Sequence, residues 1–483
     1  MHHRHTLMRA AQTLGVVFLL MTARSAAQTT QTSTEANQQE LTVTVYNSNT
    51  GLVRDVRKLT LPRGQISLNF TGVATEIRPS TVHVVSLTAP KQFSVLEQDY
   101  RYDLLTPQKL LQQYVGKQLT LIRQVTDNNS TKEVSVQAEL LSDSEGPVWR
   151  IGNEIVTGMS ADRYVFPSLP NSLYSKPTLV WLVDNNFSGP QTLEADYLTN
   201  GLNWSADYVL TLPAQSQVAD LNAWVTVTNH SGATYRDAHL QLVTGQLHQT
   251  PEAPRPMARK MAMGMVSGAM AQEVTETPVA EYHLYALSRP ATLLNNDDKQ
   301  IKLLASTGVA TGKTYEVNGQ PFYYESPLQG GQPVKEPVQA HVKFKNSEAN
   351  SLGVPLPAGV VRVYQADSQG HLQFIGEDRI APTAKDEMVD LYTGNAFDVI
   401  AERKQTGFQS LGHNSYETAF DITLRNHKDE PVTVEVNEPI GGDWTMLKSN
   451  YKFEKTSAFS ARFSVPVAAN GESVLSYRAR VRR

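Results

Sequence analysis

Carboxylates crowd one stretch of the chain, among them Asp378, Asp386, Glu387 and Asp390, then Asp398 and Glu402. Two carboxyl groups held about 5–10 Å apart in a cleft can cleave a glycosidic bond, one as acid and the other as base or nucleophile. In exposed turns the same residues are only solvated, so the question is whether they converge. Metal chemistry has weaker signals. His230, His239 and His248 share one region, but their spacing alternates strand faces and reads as ordinary polar positions rather than zinc ligands. Asn295-Asn296-Asp297-Asp298 offers the oxygens that calcium takes, although a turn accounts for it equally. Met257, Met261, Met263, Met265 and Met270 carry soft thioethers that suit Cu(I) or an adaptable protein contact. Their Pro-led, Ala/Gly-rich setting reads first as a spacer.

A phosphate-binding loop is nearly present at Gly308-Val309-Ala310-Thr311-Gly312-Lys313-Thr314. Such a loop needs four residues between its glycines and a helix after the Lys-Thr. Thr307 stands where the first glycine belongs, and Tyr315-Glu316-Val317 continues as strand. No HExxH, CxxC, GxSxG or GxGxxG occurs. No residue is therefore assigned a catalytic, cofactor-binding or metal-binding role, and no cofactor is expected.

These residues must be positioned by strands. Ser351 to Lys404 is the most patterned stretch. Val361 and Val363 alternate with Arg362 and Tyr364, and Gly370 closes a hairpin turn. Leu372 and Phe374 share a face of the return strand, and two short strands flank Gly394-Asn395. The expectation is a β-meander. Elsewhere an alternating run ending in Asn recurs before Asn47, Asn229, Asn346 and Asn426, where an Asn side chain suits the start of a turn. One helix is predicted, with Thr106 as N-cap, Pro107 at the first helical position and Gly116 past the end. Leu110, Leu111, Tyr114 and Val115 would form its buried stripe. Trp204, Tyr208 and Trp224 read as core aromatics.

The resulting fold class is mainly β: tandem β-sandwich or Ig-like modules with a small α+β N-terminal portion. The expected domains are a signal peptide at 1–27, a disordered tether at 28–40, and a β-rich domain with one helix at 41–173. A second β region at 177–248 follows, then a Met/Ala/Pro-rich flexible linker at 249–280. The core meander spans 281–405, and a separate C-terminal sandwich spans 416–483.

Arg4 and Arg9, the short apolar run Leu14 to Met21 and the small residues Ser25-Ala26-Ala27 have the order of a secretory signal. Cleavage after Ala27 would remove Arg4, Arg9 and Arg24 and no acid, taking the net charge from −4 to −7. The chain has no cysteine, which excludes thiol nucleophiles, Cys-dependent metal sites and a cysteine-linked lipid anchor. Export without disulfides fits a bacterial periplasm or cell surface, with no stable membrane span after cleavage. A mildly acidic chain argues against nucleic acid. The one basic run, Arg478, Arg480, Arg482 and Arg483, reads as a solvated strand end.

Several ordered blocks resemble one family. SLGVPLPAGVVRVYQADSQG, FIGEDRIAPTAKDE and GNAFDVIAERK resemble the C-terminal domain of the bacterial domain-of-unknown-function family forty-one-thirty-nine, the mucoidy-inhibitor-A-like proteins. Leu202 to Tyr208, VTVTNHSGATYRDAHLQLVTG and ITLRNHKDEPVTVEVNEPIGGDW are similar to its earlier and last blocks. The resemblance covers about Pro177 to Arg483. It implies a largely β, envelope-associated protein with no established reaction and no catalytic residues to carry over. Many relatives bear a coiled coil before this domain, but no sustained heptad run occurs here.

Three functions follow as expectations. The first is a non-enzymatic envelope protein that binds a partner protein or polymer, or acts as a scaffold. The alternatives are an envelope hydrolase using paired carboxylates and a copper-binding protein using the methionines of 249–280.

Overall fold

A computed structural model of the protein describes residues 29–482, apart from 128–129, 171–172, 215–216, 246–273, 280–281 and 329–331. The expected signal at 1–27 and the five methionines lie outside these residues. The chain is mainly β, built as successive β modules, with one short α-helix among the described residues. Among those residues no helix is long and apolar enough to cross a membrane.

The first module is a sandwich. One sheet orders the strands Val274–Val279, Tyr282–Leu287, Tyr235–Thr244, Gln38–Tyr46, Thr50–Thr60, Pro190–Asn200 and His83–Ser86. The other orders Thr29–Ser33, Gly64–Thr71, Thr178–Asn185 and Phe93–Arg101. Period-two alternation sends Val43, Val45, Val53, Leu68, Phe70 and Trp181 into one core.

This arrangement corrects three expected boundaries. The 28–40 segment is not a disordered tether: Thr29–Ser33 pairs in parallel with Gly64–Thr71, and Thr34 and Asn37 form a capping box around a 3-10 turn. Its polar composition hid it because only Ser33 of that edge strand is buried. There the Ser33 carbonyl accepts from the buried Arg57 guanidinium at 3.2 Å. Nor does a domain end near 173. The strands Thr178–Asn185 and Pro190–Asn200 belong to the first sandwich, because they pair with Gly64–Thr71 and Thr50–Thr60. Within 249–280, Val274–Val279 is a strand paired with Tyr282–Leu287 and not linker.

Residues 102–177 form an insertion between two strands that pair directly, Thr178 lying opposite Arg101. The insertion has its own five-stranded sheet and its own core around Leu119, Leu121, Leu140 and Trp149. The helix Pro107–Gln113 starts as expected, the Thr106 side chain accepting from Lys109 N. It buries Leu111 and Tyr114, whereas Val115 is exposed because the chain has already left the helix.

The third module is a ring of seven strands. In order they are Leu372–Ile380, Gly359–Ala366, Leu202–Leu212, Val218–Asn229, Asp297–Asn318, Gln339–Lys345 and Met388–Asn395. The ends of the row meet: Asp378 accepts from the Tyr392 amide at 2.8 Å, and Gly376 lies where a Cβ would strike the Thr393 carbonyl at 2.4 Å. Leu210, Leu221, Val361, Val363, Phe344 and Leu391 fill the interior, continuous with the first sandwich. Trp204 and Tyr208 are core aromatics, as expected, while Trp224 is 40% exposed.

The fourth module is a sandwich with a separate core around Phe420, Leu424, Val436 and Phe463. It begins well before 416, because Val399–Gly412 pairs with Ser415–Asn426 along its length. The expected meander over 281–405 is therefore split among three modules, Tyr282–Leu287 lying in the first sandwich. Its first hairpin joins the ring and its last strand joins the C-terminal sandwich. One strand, Asp297–Asn318, serves both. It pairs with Val218–Asn229 over residues 297–310, with Gln339–Lys345 over 311–316, and with Val432–Pro439 over 315–318.

Candidate functional site: a cleft between the ring and the C-terminal sandwich

The shared strand passes from one module to the next beside a cleft of about 380 Å3. Thr311, Lys313 and Tyr315 alternate along that strand, so all three face the cleft. Thr311 is tied down at the cleft edge, its amide donating to the Gln217 carbonyl at 2.7 Å and its hydroxyl to the same oxygen at 3.0 Å. Leu212 and Pro213 of the ring and Pro431 and Val432 of the sandwich give apolar walls, and Gln365 and Glu430 add polar groups.

The opposite wall is shaped by an asparagine. Asn426 ends its strand fully buried, and its Oδ1 accepts from Lys428 N at 3.1 Å. Its Nδ2 donates to the carbonyls of Glu430 at 2.8 Å and Ala468 at 3.0 Å. The turn that brings Glu430 to the cleft is thus clamped from inside.

Electrostatics single out two groups. Partial desolvation first, and the Lys428 ammonium second, hold the Lys313 amine below the usual lysine range, with Glu430 opposing. Tyr315 is nearly buried, and burial pushes its phenol up. Its hydroxyl is enclosed beside Lys428, whose charge and hydrogen bond oppose that rise, while Glu430 and Asp398 add to it. Cationic, amide and phenolic groups converging at a module junction make this cleft the candidate binding site, because ligand clefts favour such junctions.

Both signals behind the cleft were visible in the sequence but carried other meanings there. The near-phosphate loop is no loop. Gly308 to Lys313 runs inside one strand, with Gly308 at φ +80° beside a register shift. The recurrent strand-ending Asn is a repeated clamp. Asn229, Asn346 and Asn426 are buried and each bonds backbone groups of two segments. Asn47 is exposed and does not take part. Asn185, which the sequence pattern missed, does: its Nδ2 donates to the Pro62 carbonyl at 2.8 Å, and its Oδ1 accepts from the Gln191 amide at 3.0 Å.

The carboxylates of the patterned stretch do not come together. Asp378 closes the ring, and Asp386 sits in a left-handed turn at φ +68°. Glu402 lies in the C-terminal sandwich and accepts from Arg425 at 2.8 Å. Asp398 heads the neighbouring turn, its carbonyl accepting from His427 N. None of these four lines the cleft.

Asp390 joins a group that spacing did not reveal. Glu316, His341 and Asp390 hold ligand-type atoms within 4.8 Å of one another, on three adjacent strands. Their cation is already present. The Lys343 ammonium lies 2.7 Å from Glu316 and 3.0 Å from Asp390, and those two hydrogen bonds outweigh desolvation and hold it above the usual lysine range. A metal ion there would have to displace that ammonium. His230 and His239 are not brought into a cluster, and His248 lies outside the described residues. Asn295 and Asn296 form a turn, Asn296 at φ +57°.

The family model Domain of unknown function (DUF4139) matches residues 193–441, just over half of the 483 residues. The chain belongs to the DUF4139 family. The DUF4139 region contains every residue lining the cleft, from Leu212 to Thr433, and the whole ring of strands. The insertion at 102–177 and the last strands of the C-terminal sandwich lie outside it. No curated protein matches the chain.

Proposed function

We propose that this is an exported bacterial envelope protein that acts by binding a partner protein or polymer, or as a scaffold, rather than by catalysis. The observation that carries the binding reading is the Lys313–Tyr315 cleft, whose groups hold ligands and include no nucleophile with its base. The hydrolase reading loses its support because Asp386, Asp390, Asp398 and Glu402 occupy different elements, with their own partners where the structure gives them. Export rests on Arg4, Arg9, Leu14 to Met21 and the small residues ending at Ala27.

The test is cell fractionation with N-terminal sequencing, followed by crosslinking in intact cells read by mass spectrometry. The expected result is an envelope-located chain beginning near Gln28, captured with one dominant envelope component. A cytoplasmic, uncleaved chain, or no component above background, would contradict the proposal. A second variant lacking residues 250–273 tests whether the Met-rich segment takes part, and spares the paired strand Val274–Val279.

A further inference from the structure

A surface patch at the junction of the ring and the C-terminal sandwich carries a more specific inference, which rests on the binding reading and names its partner. Phe397 tops the turn between the strands Met388–Asn395 and Val399–Gly412 and is 93% exposed. The backbone is pinned on both sides of it. The Ala396 amide donates to the Val338 carbonyl at 2.7 Å, and the Asp398 carbonyl accepts from the His427 amide at 2.8 Å. A large apolar side chain is thus held out in water on a turn that is not free to fold it inward. Leu372 and Phe374, 53% and 55% exposed, belong to the strand that closes the ring against Met388–Asn395. Gly376 and Asp378 of that strand meet Thr393 and Tyr392 in antiparallel order, so Phe374 and Leu372 run toward the Phe397 end. Tyr364 packs edge-on against Phe374, ring centres 5.6 Å apart. Exposed apolar groups gathered in this way mark interaction surfaces.

The surrounding charges decide what covers the patch. Asp367 ends the hairpin strand next to it, Asp398 follows Phe397 directly, and the turn bonded to Asp398 adds Lys428, Asp429 and Glu430. With Lys313 in the cleft, four carboxylates stand against two ammonium groups. Arg362, two residues from Tyr364, is already paired with Asp207 at 2.9 Å and Glu377 at 3.3 Å. Such a rim repels an anionic bilayer, whose ligands set Lys and Arg around their apolar side chains. A second copy would bring the same negative rim. A glycan stacks flat on an aromatic face and has no pocket for a projecting phenyl group. We propose that the patch docks a protein partner, Phe397 entering an apolar pocket rimmed by basic residues. The pinned turn needs no ordering on binding, and aromatic anchors of this kind carry most of an interface's affinity.

Photocrosslinking of the full chain in intact cells tests this, with benzoylphenylalanine in place of Phe397 or, as a control for exposure alone, of Phe459. Phe459 is 60% exposed between two strands of the C-terminal sandwich. Mass spectrometry of the adduct at 397 should give one envelope protein, joined through an apolar peptide, and position 459 should not give it. With that protein purified, Phe397→Ser should weaken its binding by at least about tenfold, and added salt should weaken it further. The same variant should keep its melting temperature within about 2 °C, because the side chain is exposed, so lost binding is not lost folding. Phe459→Ser should change neither. No adduct at 397, an adduct with lipid, glycan or a second copy, unchanged affinity in Phe397→Ser, or binding that salt strengthens would overturn the proposal. Should that happen while lysine crosslinking still captures an envelope component, this surface alone is dismissed and the binding reading stands. Capture by neither route removes both.

Discussion

Asn426 shows how one buried side chain can position a site. It makes three hydrogen bonds to backbone in a place water does not reach. Asn426→Ala leaves those groups unpaired and should cost about 2–4 kcal/mol in urea unfolding. Asn47→Ala, at the exposed counterpart, should stay within about 0.5 kcal/mol. The repeat itself was legible because an alternating run ending in Asn is a local pattern. Which copies are clamps was not, because that depends on a carbonyl brought in from far along the chain, as Ala468 is to Asn426. A second residue-scale prediction concerns Asp196. Burial first, and Glu194 second, raise its carboxyl to about 6, with Arg54 and His83 opposing. In the unfolded chain an aspartate titrates near about 3.9. The folded state therefore binds this proton more tightly. The contribution to stability is fully present below about pH 4 and is lost as the pH rises through about 6. Asp196→Asn should abolish that fall, leaving the protein about 1 kcal/mol more stable at neutral pH, since the group is half-buried and solvent screens it. Melting temperature against pH for the two proteins checks it.

Elements explain what the sequence could not show about boundaries. Strand character was readable almost everywhere from period-two alternation, and the helix from Thr106 and Pro107. Pairing was not readable, because Pro190–Asn200 and Thr50–Thr60 are neighbours only in space. The C-terminal sandwich is centred on another group that alternation hides. Arg403 sits on a strand with no exposure at all, 2.8 Å from Glu336 and 2.7 Å from Glu438, above the rings of Tyr323 and Phe420. Burial works against its charge, but Glu438, Tyr477 and Glu336 outweigh that and hold it protonated. Arg403→Met leaves two buried carboxylates without their cation and should destabilise by roughly 3–5 kcal/mol, measured by denaturant unfolding. Replacing Glu336 and Glu438 by Leu as well should recover much of that loss. The insertion makes the opposite prediction. Arg101 and Thr178 are already paired, so excising 104–175 and closing with a short Gly/Ser turn should leave the other modules folded, with their cooperative unfolding intact.

At the scale of the whole molecule, the shared strand Asp297–Asn318 ties the ring to the C-terminal sandwich, and the cleft sits where it crosses. Neither the mildly acidic composition nor the absent catalytic motifs pointed there. Lys313 reads in sequence as part of a failed phosphate loop and Tyr315 as the continuing strand, while Glu430 carries no signal of its own. They meet only because sequence positions 212, 313 and 430 converge at a module junction. The most direct test of the account is crosslinking in intact cells read by mass spectrometry, comparing the full chain with Lys313→Gln at the cleft. The account predicts one dominant envelope component captured by the full chain and lost or strongly reduced with the variant. Capture of that component unchanged by Lys313→Gln would show that the cleft is not the binding site and contradict the account.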